Sequence, residues 1–206
     1  MKGFKNVENC DSLENFLSLV NSLGEVIYHP NGEFYDIVIA NDGTSARSGS
    51  FSQNFGYHSF PLHTDTAFWS IPAKILVMWS PKANTTPTTL LSWDDLLEKF
   101  SVYERKLIND AVFIVHTYEY TKYSSLKFIT SNKKGFRYDP NIMTPANKQG
   151  KEFVSIYNKI IQQIKLTDFH WSGSNALIID NWNMLHGRKH VENTHEDRQI
   201  FRAYVR

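Results

Sequence analysis

Many short apolar or alternating runs, turn residues between them, and only a few stretches of helical periodicity predict a mainly β chain with peripheral helices, a β-sandwich or jelly roll. The aromatic share of 14% supplies the bulky side chains that two packed sheets bury between them. At 206 residues, with no internal repeat, low-complexity tract or linker, the expected organisation is one domain over 1–206.

The elements follow in order. Leu13, Phe16, Leu17, Val20 and Leu23 recur at helical spacing within 11–23, with Asp11 as cap, Glu14 three residues on and Gly24 as stop. Residues 26–29 and 34–40 read as strands around a turn at Pro30-Asn31-Gly32, and the Asn, Gly, Ser and Thr of 41–56 read as a long loop. Strands over 73–79 and 88–91 flank a connection bounded by Pro81 and Pro87. Two short helices over 92–100 and 101–109 each open on a Ser with an acid three residues later, Asp95 and Glu104. Strand character returns over 111–120 and 126–130. Phe153, Ile156, Tyr157, Ile160, Ile161 and Ile164 mark one further helix, and 176–180 and 199–205 close the chain as strands.

Composition narrows the class. Twenty-two Lys and Arg against 21 Asp and Glu leave a net charge of +1, no electrostatic case for nucleic acid or an anionic membrane as partner. The single cysteine, Cys10, rules out an intrachain disulfide. Charge and amide groups occupy the N-terminus where a secretory signal needs an apolar stretch, and the strongest apolar run, 75–79, is far short of a membrane span. The expected setting is soluble and cytoplasmic with a small-molecule partner, the oligomeric state being left open.

Two histidines stand out by context. His63 and Asp65 are two apart, so an extended backbone directs both side chains to one side. His186 follows an apolar strand in Asp180-Asn-Trp-Asn-Met-Leu-His186-Gly-Arg188. Two imidazoles and one carboxylate with open positions form the ligand set of non-haem Fe(II) oxygenases. His-Thr-Asp alone is a weak signal that reads first as a hydrogen-bonded pair at a strand end. Arg198 and Arg202, four apart, fall on one face of a C-terminal strand with Gln199 and Phe201 on the other. They are either a solvated face or two forks for carboxylates. Arg137, between Phe136 and Tyr138, is a candidate for meeting substrate from a covering segment. His190 and His195 lie in a polar stretch that reads as loop rather than as a second metal cluster.

Taken together, His63-Thr-Asp65, Asn181 to Arg188 and Arg198-Gln-Ile-Phe-Arg202, with a weaker echo in Phe136-Arg-Tyr-Asp-Pro140, resemble the Fe(II)/2-oxoglutarate-dependent dioxygenases. The likeness is densest over 57–93 and 169–206 and is greatest to the branch of taurine dioxygenase, γ-butyrobetaine hydroxylase and clavaminate synthase. It implies a double-stranded β-helix, the cupin-like jelly roll. It implies His63, Asp65 and His186 as iron ligands, Arg198 on the distal carboxylate of 2-oxoglutarate with Thr89 sharing it, and Arg202 against an anionic group of the substrate. The spacing from His186 to Arg198, shorter than in the closest relatives, would let Arg202 take the co-substrate instead. Fe(II), 2-oxoglutarate and O2 are the implied cofactors. The implied reaction is hydroxylation of an aliphatic carbon in a small anionic or zwitterionic molecule, an amino acid or biosynthetic intermediate, with release of succinate and CO2. Asp65 argues against halogenation, because halogenating relatives have a small residue at that position. The competing readings are a non-catalytic jelly-roll module that binds a metal or carboxylate, and a zinc-dependent hydrolase using the same three ligands.

Overall fold

The computed structural model describes residues 3–29, 32–117, 119–130, 133–195 and 198–206. In chain order its elements are β1 (Phe4–Glu8), α1 (Leu13–Leu23), β2 (Val26–Ile27), β3 (Asp36–Ile39), α2 (Phe51–Phe55), β4 (Phe60–His63), β5 (Ile75–Trp79) and β6 (Ala83–Ser92). There follow α3 (Trp93–Glu98), α4 (Val102–Asp110), β7 (Val112–His116), β8 (Thr121–Ser125), β9 (Lys127–Thr130), β10 (Lys133–Phe136), β11 (Met143–Pro145) and α5 (Lys148–Ile161). The last four are β12 (Thr167–Ser172), β13 (Asn175–Asp180), β14 (Met184–Arg188) and β15 (Gln199–Val205).

Two antiparallel sheets make the jelly roll expected from the sequence. One runs β1-β13-β5-β15-β2, with β3 also paired to β15; the other runs β12-β6-β14-β4. Between them lie Leu76, Met78, Leu177, Ile179, Ile200 and Tyr204 from the first sheet and Leu90, Phe169, Trp171 and Met184 from the second. The alternate residues of the first sheet, Val77, Trp79, Ala176, Ile178, Ala203 and Val205, pack outward on Phe16 and Val20 of α1. Strands β5 and β13 are therefore covered on both faces, which is why they read as unbroken apolar runs instead of alternating ones. The outer face of the second sheet, Leu62, Leu91 and Leu185, is covered by Trp93, Leu96, Phe113, Phe153 and Tyr157 from the α3–α5 region. No helix among the described residues is long and apolar enough to cross a membrane.

Local chemistry moved several expected boundaries. Helix α1 is capped by Ser12, whose hydroxyl accepts from the Asn15 amide (3.2 Å), while Asp11 instead accepts from the Asn15 side chain (2.8 Å). The run expected as a loop over 41–56 contains the short helix α2, capped by Ser50. The expected strand 111–120 stops at His116 as β7, a turn follows in which Thr117 and Tyr120 bond to each other, and β8 begins only at Thr121. Helix α5 begins at Lys148, ahead of its first apolar position, because the Asn147 side chain accepts from the Gly150 amide (2.8 Å). Of the turn expected at 30–32, only Gly32 lies within the described residues. Strand β1 escapes a sequence reading because most of its residues are exposed and its side chains do not alternate.

Strand β14 sits between β4 and β6, with His186 opposite His63 on one side and Leu90 on the other. Gly187 lets these strands approach: a Cβ there would lie 2.7 Å from the Phe60 carbonyl oxygen and 2.9 Å from Thr89 Oγ1. Gly187→Ala is expected to lower stability by about 1–3 kcal/mol through this overpacking, read as a lower midpoint in urea unfolding.

Candidate metal centre

His63 ends β4 and His186 sits in β14 directly across from it. Opposed residues of an antiparallel pair share a face, and the two imidazole centroids stand 4.3 Å apart. Asp65 lies just past the end of β4, and four neighbours fix its backbone. The Thr64 amide donates to Tyr138 O (2.8 Å), and its hydroxyl accepts from the Tyr138 amide (3.2 Å). Asn181 Oδ1 accepts from the Asp65 amide (3.0 Å), while its Nδ2 donates to Asp65 O (2.9 Å) and Ala73 O (2.8 Å). Thr66 adopts a φ of 57° and turns its hydroxyl back onto Asp65 O (2.6 Å). So held, Asp65 points its Oδ1 to 3.4 Å from His63 Nε2 and 3.9 Å from His186 Nε2. The three donor atoms lie within 4.8 Å of one another, and all three residues are buried.

The surroundings tune each group. Burial opposes ionisation of Asp65, yet the Arg202 guanidinium and the His63 hydrogen bond hold its carboxyl well below the usual carboxylate range. Burial, then the nearby charge of His63, pulls His186 down to about 3, so it is neutral at physiological pH. For His63 burial acts downward, but the hydrogen bond and charge of Asp65 outweigh it and leave the imidazole raised. His63 Nδ1 donates to Pro61 O (2.9 Å), so Nε2 is the ring nitrogen that faces the cluster. His186 Nδ1 is buried with no partner among the described residues. Two imidazole nitrogens and an ionised carboxylate oxygen that converge within 4.8 Å are a donor set that fits a ferrous ion.

No family model matches the sequence, and no curated protein matches it. Solved structures do. An asparagine oxygenase in complex with Fe(II), 3-hydroxyasparagine and succinate is 15% identical, with a TM-score of 0.79 over 100% of this chain and 69% of that one. The non-haem iron oxygenase OrfP, in complex with Fe and α-ketoglutaric acid, is 16% identical at a TM-score of 0.72 over 98% and 74%. PvcB from Pseudomonas aeruginosa is 17% identical at 0.69 over 94% and 71%. The chain has the fold of the iron- and 2-oxoglutarate-dependent oxygenases.

Within this oxygenase fold, β15 turns Ile200 and Tyr204 into the space between the sheets and Phe201, Ala203 and Val205 toward α1. Arg198 and Arg202 share the inward parity. Arg198 is buried, and its charge lowers the nearby Arg188 to about 9, after burial itself. Arg188 is anchored: its Nη2 donates to Gly56 O (2.5 Å) and His58 O (2.6 Å), and its guanidinium lies 3.6 Å over the Phe60 ring. Arg202 bonds to Asp65 itself, from Nη1 to Oδ1 (3.3 Å) and Oδ2 (3.2 Å).

Two expectations are corrected by orientation. Thr89 is opposite Gly187, on the face of β6 that points away from the imidazoles, whereas Thr88, opposite Arg188, faces inward and accepts from Trp171 Nε1 (3.2 Å). A one-residue difference in a strand reverses the face. Arg137 is committed to the backbone: Nη1 donates to Ala67 O (3.1 Å) and Trp69 O (2.5 Å), and Nη2 to Ser70 O (2.8 Å). It ties down the turn after Asp65 instead of presenting itself to a ligand. His58 and His190 meet ring to ring at 5.7 Å, and the only metal-type cluster among the described residues is that of His63, Asp65 and His186. Two surface clefts of about 290 and 240 Å³ include none of these three residues.

Asp139 and Asn181 were not singled out by spacing. Asn181 acts on backbone, which no side-chain pattern reveals. Asp139 is buried near His63, accepts from the Asn141 amide (2.8 Å), and is raised by burial to about 6. An acid that holds its proton longer folded than unfolded loses stability as pH rises, here from the ordinary 3.8 to about 6. In metal-free protein, Asp139→Asn should therefore gain about 2–3 kcal/mol over the wild type between pH 4 and pH 7. Urea unfolding of both proteins at the two pH values measures this, and a gain already complete at pH 4 would contradict it.

Proposed function

We propose that this chain is an Fe(II)- and 2-oxoglutarate-dependent oxygenase that hydroxylates an aliphatic carbon of a small, amino-acid-like molecule. The observation that carries the reading is the convergence of His63, Asp65 and His186 inside a jelly roll shared with such oxygenases. The order of His63-Thr-Asp65, His186-Gly-Arg188 and Arg198 to Arg202 supports the branch of taurine dioxygenase and clavaminate synthase. One domain spanning 1–206 is part of the proposal.

The chemistry that iron, 2-oxoglutarate and dioxygen supply is oxidative decarboxylation to succinate and CO2, coupled to oxidation of the bound substrate. The residues do the rest. His63 Nε2, His186 Nε2 and Asp65 Oδ1 would hold the metal from one side, leaving the other side for co-substrate and dioxygen. Arg198, a buried guanidinium on the inward face, would grip the distal carboxylate of 2-oxoglutarate. The apolar wall between the sheets, Leu90, Phe169, Trp171 and Ile200, would exclude water from the reacting carbon. Phe51 of α2, 4.2 Å from the His63 ring, closes the side toward the 41–56 segment.

The substrate class rests on charge and on analogy. The Asp139 carboxyl beside His63 suits the ammonium end of a zwitterion. The asparagine oxygenase and OrfP structures hold hydroxylated asparagine and hydroxylated arginine. A cytoplasmic setting belongs to the same reading, since ferrous iron and the free Cys10 thiol both suit a reducing compartment.

The test is anaerobic addition of Fe(II) and 2-oxoglutarate to metal-free protein. A weak visible charge-transfer band is expected in the wild type and none in His186→Ala. Arg198→Ala should keep the band but raise the 2-oxoglutarate needed for half of it by at least about thirtyfold, the loss of about 2 kcal/mol for a buried charge pair. A wild-type protein that binds iron and gives no band would favour the metal-binding module or the hydrolase.

A further inference from the structure

We propose that Asp36, on the edge strand β3, is a positioning residue for the metal centre: through Arg202 it holds the Asp65 carboxylate in its orientation toward the imidazoles. This rests on the oxygenase reading of the triad. Arg202 Nη1 spans both oxygens of Asp65, at 3.3 Å from Oδ1 and 3.2 Å from Oδ2. Oδ1 also lies toward His63 and His186, whereas Oδ2 accepts from the Tyr204 hydroxyl (3.1 Å). Braced by Arg202 across both oxygens and by Tyr204 at Oδ2, the carboxylate resists turning and keeps Oδ1 toward the imidazoles.

That hold depends on where Arg202 points. Its long side chain has several rotamers and is about a quarter exposed, so Asp65 alone does not determine its position. Asp36 does. The pairing of β3 with β15 sets Asp36 directly opposite Arg202, and Asp36 Oδ2 accepts from Arg202 Nη2 at 2.8 Å. The guanidinium is thus pinned from two sides, one nitrogen on the ligand carboxylate and the other on the strand edge. Tyr204, in the same strand and on the same face, completes the clamp.

Charge works in the same direction as geometry. A guanidinium bonded to a metal-ligating carboxylate opposes the arrival of a dication. A second carboxylate on its far side offsets that charge and leaves Asp65 its own for the metal. A surface ion pair of β3 and β15 with no further role would contribute little to stability and nothing to metal affinity. The two cases are therefore separable by measurement.

The experiment is an anaerobic titration of the metal-free protein with Co(II), read by its visible d–d bands. Asp36→Asn keeps the shape and removes the charge. It should weaken Co(II) binding by about tenfold, the lower end of what loss of an outer partner of a metal ligand produces, and change band intensity as Asp65 gains freedom. Asp36→Glu should recover most of the affinity. Far-UV circular dichroism and melting of the metal-free proteins should be alike; should Asp36→Asn fold poorly, Asp36→Ser carries the same expectation. Unchanged Co(II) affinity and spectrum in a folded Asp36→Asn or Asp36→Ser protein would overturn the proposal while leaving the triad intact. Failure of the wild type to bind Co(II) would instead overturn the oxygenase reading and the proposal with it.

Discussion

The pairing of β14 with β4 on one side and β6 on the other sets the geometry on which the rest depends. It puts His186 across from His63 at a fixed spacing, and the absence of a side chain at Gly187 allows the strands to come that close. Backbone hydrogen bonds, not side-chain contacts, thus bring together two histidines far apart in sequence. A slip of one residue would turn either imidazole to the outer face, into the apolar layer of Leu62 and Leu185.

The third candidate ligand is set differently. Asp65 lies beyond the strand, where no ladder holds it, and its direction comes from the side chains of Asn181, Thr64 and Thr66 acting on backbone. Arg137 secures the next turn through three carbonyls. The motif Asp180-Asn181-Trp182 belongs to the same frame, since Trp182 Nε1 donates to Pro72 O (2.8 Å). Much of what looks like an active-site motif in the sequence therefore serves to shape the backbone around one carboxylate.

Charge in the site is concentrated and nearly dry. Two histidines, Asp65, Arg202 and Tyr204 lie within hydrogen-bond or near-contact distance, and burial acts on each of them. Neutral His186 and ionised Asp65 are in the protonation forms that a metal would require, and the apolar cluster between the sheets lies beside them. The cost of burying Asp65 is met by Arg202, whose charge is in turn met by Asp36 at the exposed edge. The chain of ion pairs runs from the core to solvent.

The sequence by itself determined the sheet-rich class, the apolar strands 75–79 and 176–180, the cap-defined helices and the His-Thr-Asp…His set. These depend on periodicity and on residue type, which are local. It could not say which of two adjacent threonines faces the space between the sheets, because the buried residues of β6 fall on both of its faces and its pattern carries no parity signal. It could not separate Arg137, bound to backbone, from Arg198, buried near another guanidinium, since residue type and spacing do not reveal which groups a guanidinium meets. Nor could it link Asp36 to Arg202, a partnership made by strand register across most of the chain. Those decisions belong to tertiary structure, because they depend on which distant backbone a side chain meets.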